Sequence, residues 1–396
     1  MEFFNDETKQ FIRLHRNEDP AEVALHRPND SHIDFKSAIE QIAGYRKAKE
    51  KLPYLAENED IIYPKALSLE QCSSETTANF KAEILSGETL ADLTGGFGVD
   101  SMAFSKHYKK VLYIEKDSVL CGLMTHNCEQ LGIGNVHIIN ASAEDILSTL
   151  PDVDVIYLDP SRRDAEGNKV YKIEHCVPNI LPLLPTLLQK AQKGVLLKLS
   201  PMADIKDVLL KLQSVSSIII VSVKNECKEF LCVLEKTEAP NNDIQISAVE
   251  IDDTPTIFSF THAEEAAAKP AYTNAVGKYL YEPYKAVLKA GAFKLAGSRF
   301  CLEKLHPHTH LYTSDQLCNH FPGNVYIVGK TFDFRKADLK YHLPTLSDCS
   351  VKVRNFPLSV EALSKRLKIH EGTGAHCLFA TTNSEGKHIL ISATRI

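Results

Sequence analysis

Two short runs of this chain carry residue types that can do chemistry. The first is Leu90-Ala91-Asp92-Leu93-Thr94-Gly95-Gly96-Phe97-Gly98-Val99-Asp100, followed by Val111-Leu112-Tyr113-Ile114-Glu115-Lys116-Asp117. An apolar strand enters a glycine-rich turn, a helical stretch follows, and a second apolar strand ends in an acid. That order describes the first βαβ unit of a nucleoside-binding domain. Glycines admit a ligand where a Cβ would clash. Glu115, 17 residues beyond Gly98, stands near the ~20-residue offset at which an acid takes the ribose hydroxyls. The second run is Leu158-Asp159-Pro160-Ser161-Arg162-Arg163-Asp164. Ligands in open α/β sheets sit beyond the carboxyl ends of the strands. Asp159, Pro160 and Ser161 therefore fall where a reacting group belongs, and Asp159 is the candidate base or amine-orienting group. Arg162 and Arg163 are candidates for holding a substrate phosphate or carboxylate by paired hydrogen bonds.

The glycine spacing separates two nucleoside cofactors. The dinucleotide fingerprint GxGxxG is not matched by Gly95, Gly96 and Gly98. The pattern Asp-x-Thr-x-Gly-x-Gly, formed by Asp92, Thr94, Gly96 and Gly98, resembles motif I of class I S-adenosylmethionine-dependent methyltransferases, with Thr94 in place of the usual first glycine. Several nucleic-acid methyltransferases carry a larger residue there. The resemblance implies S-adenosyl-L-methionine as cofactor, with Asp92, Thr94, Gly96, Gly98, Glu115 and Asp159 among its binding residues. Adenine contacts are expected from Asn140-Ala141-Ser142-Ala143-Glu144-Asp145, which resembles a motif that usually reads Gly-Asp-Ala. Ser142 takes the place of the usual acid, which leaves Glu144, Asp145 or the backbone of Ala143.

The Asp159 loop resembles two known arrangements and departs from both. Amino-group methyltransferases carry Asn/Asp-Pro-Pro-aromatic, whereas here the second proline and the aromatic are absent. RNA 5-methyluridine methyltransferases carry Asp-Pro-Pro-Arg and need a cysteine nucleophile after strand five. Here strand five ends Leu197-Lys198-Leu199-Ser200-Pro201, so a covalent mechanism is not expected.

The elements that position these residues alternate in the sequence. Strands are expected over Thr89–Leu93, Lys110–Ile114, Val136–Asn140, Val153–Leu158, Val195–Leu199, Ser217–Val223 and Phe230–Glu235, with helices between most of them. Lys224 to Glu229 is too short for a crossover helix, so the last two strands must form an antiparallel hairpin. Upstream, Glu7–Leu14 and Phe35–Leu52 have helical spacing, with Asp34 or Ser31 as cap of the second, and Ser73 or Ser74 caps a further helix before the first strand. Downstream, strands are expected at Ile244–Ile251 and Thr256–Thr261 and a helix at Tyr284–Leu295. The tail reads β-turn-β-α-β through Val325–Gly329, Ser350–Asn355, a helix capped by Ser359, Cys377–Thr382 and His388–Ser392. His306-Pro307-His308-Thr309-His310 is expected to be a polar loop rather than a metal site.

Composition sets the limits. The chain has 396 residues, 44% hydrophobic and 24% charged, as in an ordinary globular protein of several domains. No apolar run reaches the ~18–20 residues of a membrane span, and the acidic N-terminus lacks a signal pattern. Ten cysteines without a CxxC pair suggest reduced thiols and a cytoplasmic protein without a metal site. Net charge is −6, yet Val325–Ile396 holds 11 Lys/Arg against 6 Asp/Glu, a possible docking surface for a polyanion.

Together these segments resemble a bacterial family, of Bacteroidota type, of class I methyltransferases with a C-terminal THUMP-like domain. The resemblance is carried by Gln71 to Ala78, Asp92 to Gly98, Leu158 to Arg163, Tyr279-Leu280-Tyr281-Glu282-Pro283 and Val353-Arg354-Asn355-Phe356-Pro357-Leu358. The expected fold is α/β: a Rossmann-like seven-stranded sheet with an antiparallel last hairpin, an N-terminal helical region, and small α+β modules at the C-terminus. The expected domains are 1–70 (helical), 71–238 (methyltransferase), 239–322 (linker and ferredoxin-like module) and 323–396 (THUMP-like). A THUMP-like tail implies an RNA substrate. Two alternatives use the same residues: a methyltransferase of a small molecule or protein, and a non-catalytic module that binds S-adenosylmethionine or RNA. Oligomeric state is not readable from the sequence.

Overall fold

The computed structural model describes residues 3–28, 32–161, 173–236, 244–342, 348–372 and 374–396. They pack as two compact units, residues 1–216 with 229–241 and residues 217–228 with 242–396. In the first unit the helices Asp6–His15, Pro20–Leu25 and Phe35–Lys51 bury Phe11, Val23, Ala38 and Ile42 in a small core. Asn5, Asp19 and Asp34 cap them, each side chain accepting a backbone N–H of the first turn. The extended Ile61–Tyr63 chain that follows pairs with no strand among the described residues. Gln41 instead bonds both backbone groups of Tyr63 at 2.8 Å, and Asn127 bonds those of Ile62 at 3.0 and 2.9 Å. Two buried amides thereby satisfy a backbone that would otherwise be orphaned.

The strands of this unit are β1 (Thr89–Asp92), β2 (Lys110–Glu115), β3 (Val136–Asn140), β4 (Val153–Leu158) and β5 (Ala191–Leu199). Next come β6 (Val215–Val223) and β7 (Glu226–Leu234). The order is β3-β2-β1-β4-β5-β7, parallel except for β7, which runs antiparallel to β5. Val155–Leu158 of β4 and Val195–Leu197 of β5 are apolar and buried, as expected of central strands in a parallel sheet. The order reverses between β1 and β4, the switch point at which such sheets bind ligands. The hairpin expected after β6 turns on two residues, Lys224 and Asn225, with φ of 50° and 55°. Positive φ at both positions matches the twist of a tight hairpin.

In the second unit β6 pairs in parallel with β8 (Gln245–Ile251), which pairs antiparallel with β9 (Thr256–Thr261). Strands thus continue past the expected seven. The remaining strands are β10 (Tyr279–Pro283), β11 (Glu303–His306), β12 (Thr309–Ser314), β13 (Gly323–Asp333), β14 (Asp348–Arg354), β15 (His370–Glu371), β16 (His376–Thr382) and β17 (His388–Arg395). They form one sheet in the order β11-β12-β10-β13-β17-β16-β14-β15. Alternation builds two cores from it. Cys377, Phe379, Ile389 and Ile391 face one core; Leu378, Ala380 and Leu390 face the other, under Leu363 and Leu367 of the helix capped by Ser359. The helix expected over Tyr284–Leu295 is shorter: it spans Lys285–Ala290, ends at Gly291 with φ of 87°, and a separate turn spans Leu295–Ser298. A left-handed glycine stops a helix whatever the apolar spacing beyond it. The His306–His310 segment is the β11–β12 turn, and no group of three His, Cys, Asp or Glu able to hold a metal occurs among the described residues.

Candidate active site

A cavity of about 620 Å³ opens at the switch point, within the usual range for a small-molecule site. Its floor is the turn between β1 and the helix Val99–Phe104. Gly96 has φ of 55° and Gly98 φ of 90°, a region that only glycine enters freely. A Cβ on Gly95 would meet the Tyr113 ring at 2.2 Å, and one on Gly98 would meet Met124 Sδ at 2.2 Å. A Cβ on Gly96 would meet nothing closer than 3.8 Å, so the open side of the turn is its cavity side. Tyr113 fixes the turn from below by donating to Gly96 O at 2.6 Å.

Glu115 closes the far end. Its Oε2 accepts from Gly96 N–H and its Oε1 from Asp117 N–H, both at 2.9 Å. Each oxygen keeps a lone pair, the arrangement an acid needs to take two ribose hydroxyls. Beside it, Ser142, Ala143 and Glu144 line the wall. Ser142 caps the short helix Ala143–Ile146 and also donates to Asp145 Oδ2 at 2.7 Å. Asp145 is thereby engaged with its own cap, which leaves Glu144 and the Ser142–Ala143 backbone facing the space.

Asp159, Pro160 and Ser161 form the opposite wall. Thr94 Oγ1 accepts from Asp159 N–H at 2.6 Å, joining this loop to the glycine turn. Ser161 forms a bridge with Val177 through hydrogen bonds of 2.7 and 3.0 Å. Arg162 and Arg163 lie outside the described residues. Behind Asp159 is a buried network that the sequence reading missed. Lys198 donates to Asp159 Oδ2 at 2.6 Å and to Ser73 Oγ at 3.0 Å. Lys81 donates to Ser73 Oγ at 3.0 Å and to both Glu229 oxygens at 2.6 and 2.7 Å, and lies 3.2 Å from Asp100 Oδ1. Ser73 and Tyr157 both donate to Asp100 Oδ2, at 2.8 and 2.9 Å. Burial pushes the Asp159 carboxyl above the usual carboxylate range, although Lys198 works against it. Burial also opposes charge on Lys198, but Asp159, Glu229 and Asp100 outweigh it and hold the ammonium well above the ordinary lysine value. One signal was present: Lys198 and Glu229 each interrupt or border an apolar strand, where an unpaired charge would be costly.

The structure gathers Thr94, Gly96, Gly98, Glu115, Ser142, Ala143, Glu144, Asp159, Pro160 and Ser161 around one cavity. Asp92 stands apart from them. It is buried beneath the turn, where it accepts from Thr94 N–H at 3.0 Å and from Ser101 Oγ at 2.6 Å, and it shapes the loop from within. Burial first, then Asp100 and Asp159, push its carboxyl up to about 7 against those hydrogen bonds. The folded pKa is therefore above the unfolded value of roughly 4. The folded state keeps a proton the unfolded state has lost, so this group's contribution to stability falls as pH rises from about 4 to 7. Asp92→Asn is expected to flatten that decline and to be more stable than the parent at pH 8 by ~1–3 kcal/mol. Urea unfolding at pH 5 and pH 8 measures it; an Asn variant weaker at pH 8 would refute the assignment.

A parallel sheet with one reversed strand, a glycine turn at the switch point and an acid ending β2 fit S-adenosyl-L-methionine, which Gly96, Glu115 and the Ser142–Glu144 wall could hold. Together with the relatives described next, they define the class: a class I S-adenosylmethionine-dependent methyltransferase. A ferredoxin-like domain family matches residues 279–322 and a THUMP domain-like family matches residues 323–395. The crystal structure of a Porphyromonas gingivalis W83 protein assigned as a methyltransferase is similar, with a TM-score of 0.89 and 32% identity over 100% of both chains. An uncharacterised S-adenosylmethionine-dependent methyltransferase of Mycobacterium tuberculosis H37Rv is 24% identical over 305 residues, 76% of this chain and 80% of that one. The chain belongs to the family of the Porphyromonas protein, methyltransferases with a THUMP-like C-terminal domain.

Proposed function

We propose that this methyltransferase acts on RNA, with the THUMP-like domain gripping the backbone and Asp159 facing the group that receives the methyl. The observation that carries this reading is the THUMP-like match over residues 323–395, joined to the basic balance of that segment. Lys352 and Arg354 are tied to the buried Glu282, each at 2.6 Å. Phosphate contacts would therefore come from other cations, such as Lys365, Arg366 and Lys368 around the helix Val360–Leu367. S-adenosyl-L-methionine supplies a methyl group already activated on a sulfonium. The chain's own part is alignment and charge. Glu115 accepts from the ribose, the Asp159–Ser161 wall receives a single-stranded or extruded base, and Asp159 accepts a hydrogen bond from its amine. We place the reaction in the cytoplasm, because ten cysteines with no CxxC pair in the sequence fit reduced thiols.

The test is incubation of the protein with methyl-labelled cofactor and undermodified total RNA. Label should enter RNA, and initial rates should fall steeply between 50 and 200 mM salt as counterion release predicts. Asp159→Ala should lower incorporation by ~10²-fold while cofactor binding persists. Cofactor binding with no label in any RNA pool would turn the reading to a small-molecule or protein acceptor, or to a binding module.

A further inference from the structure

Asp159 is the cavity-facing end of the buried charge network. Its side chain is 29% exposed, whereas that of its partner Lys198 is 9% exposed. Lys198 stands on β5 between Leu197 and Leu199, and strand pairing with β7 fixes its place opposite Leu231. Behind it, Ser73 Oγ accepts from the ammonium at 3.0 Å and Glu229 Oε1 lies 3.8 Å away. Other charged or titratable groups bear on Asp159 from every side. Asp92 ends β1, Tyr157 lies on β4, Asp100 on the helix Val99–Phe104 and Lys81 on the helix Glu75–Ala82. Asp100 and Glu229 are anions, and Lys81 is bound to both of them. Among the described residues, Lys198 is thus the cation that directly offsets them at Asp159.

We propose that Lys198 is a positioning residue for methyl transfer: anchored by Ser73 and Glu229, it holds Asp159 as an anion aimed into the cavity, ready to accept a hydrogen bond from an N–H of the methyl acceptor. The proposal rests on the reading of Asp159 as the group beside the acceptor. It has a consequence that needs no acceptor. An anion in a partly desolvated wall favours a sulfonium over the neutral thioether left after transfer. The ratio of affinities for S-adenosylmethionine and S-adenosylhomocysteine therefore reports the charge on Asp159.

Calorimetric titration of both ligands from pH 5 to pH 8.5 tests this on the full-length protein. In the parent, the preference for the sulfonium should weaken as pH falls and Asp159 takes a proton. In Lys198→Met the midpoint should move up by ~2 pH units or more, as expected for a buried carboxyl without its partner. At pH 7 the sulfonium should then bind ~10-fold more weakly while the thioether changes less than ~3-fold. Lys198→Arg should restore the parental profile, which a merely structural role for the side chain would not require. If Lys198→Met does not fold, Lys198→Met/Glu229→Gln keeps the network's charge in balance and should show the same shift. A pH midpoint unmoved in the folded variant overturns the role of Lys198. Asp159→Asn separates this from the underlying reading: if that variant leaves the ratio and its pH dependence intact, the reading of Asp159 itself is wrong.

Discussion

Lys81→Met is expected to remove about 3–5 kcal/mol of stability at neutral pH, the cost of stripping one partner from a buried ion pair. The side chain has no exposed surface, and its ammonium reaches Glu229 at 2.6 Å and Asp100 at 3.2 Å. Methionine fills a similar volume but leaves two buried carboxylates to Lys198, which is 3.8 Å from Glu229. In the parent protein, burial acts against both acids, yet Lys81 and Lys198 hold each below the usual carboxylate range. Folded pKa values below the unfolded ones mean that this stabilisation is present at neutral pH and lost as pH falls through the folded values. In Lys81→Met the order is reversed, because burial then dominates and the acids bind protons more tightly when folded. The deficit should be largest near pH 7.5 and shrink towards pH 4.5. Urea unfolding at these two pH values measures it, and Lys81→Met/Glu229→Gln should recover much of the loss. A single variant within 1 kcal/mol of the parent at pH 7.5 would show that the network does not carry this weight.

Gly98→Val is expected to abolish measurable cofactor binding, a loss of at least ~100-fold, by two independent routes. A β-branched residue at φ of 90° is a genuine backbone outlier, and strain of this kind costs ~1–3 kcal/mol. The new Cβ would also sit 2.2 Å from Met124 Sδ and 3.0 Å from its Cε. Met124 is fully buried in the helix Ser118–Leu131, so its flexible end has little room to yield and strain passes to the turn. Shifting the turn would break the Gly96–Glu115 hydrogen bond and displace the carboxylate proposed to take the ribose. Gly134→Ala is the control: it has ordinary φ and nothing within 4 Å of the new Cβ, and it should bind as the parent does. Calorimetry with S-adenosylhomocysteine reads both variants. Binding by Gly98→Val within 10-fold of the control would contradict the placement of the cofactor on this turn.

Much of the site was legible because its parts are local. Asp92 to Gly98 is a single turn, Glu115 ends β2, and Asp159 directly follows β4, on the other side of β1. The hairpin was legible from length alone, since Lys224 to Glu229 cannot hold a crossover. The strand ends were less so: β5 starts at Ala191 and β7 at Glu226, ahead of the apolar runs, because backbone pairing needs no apolar side chain and continues through polar residues at a strand's end. Its motif position groups Asp92 with the cavity residues. Only the packing shows it turned inward to Ser101.

The sequence by itself determined the order of elements, the glycine turn, the helix cap at Ser359, and the loop that lines the cavity. Each of these follows from interactions within a few residues, which composition and spacing express directly. The tertiary structure alone decided that Ser73, Lys81, Asp100, Lys198 and Glu229 form one buried network. Lys81 and Glu229 are 148 residues apart, and Lys198 and Ser73 are 125 apart. No local period records such a meeting. It arises because β5 and β7 become neighbours in the sheet while the helices Glu75–Ala82 and Val99–Phe104 pack together, and buried charges that meet there must be paired.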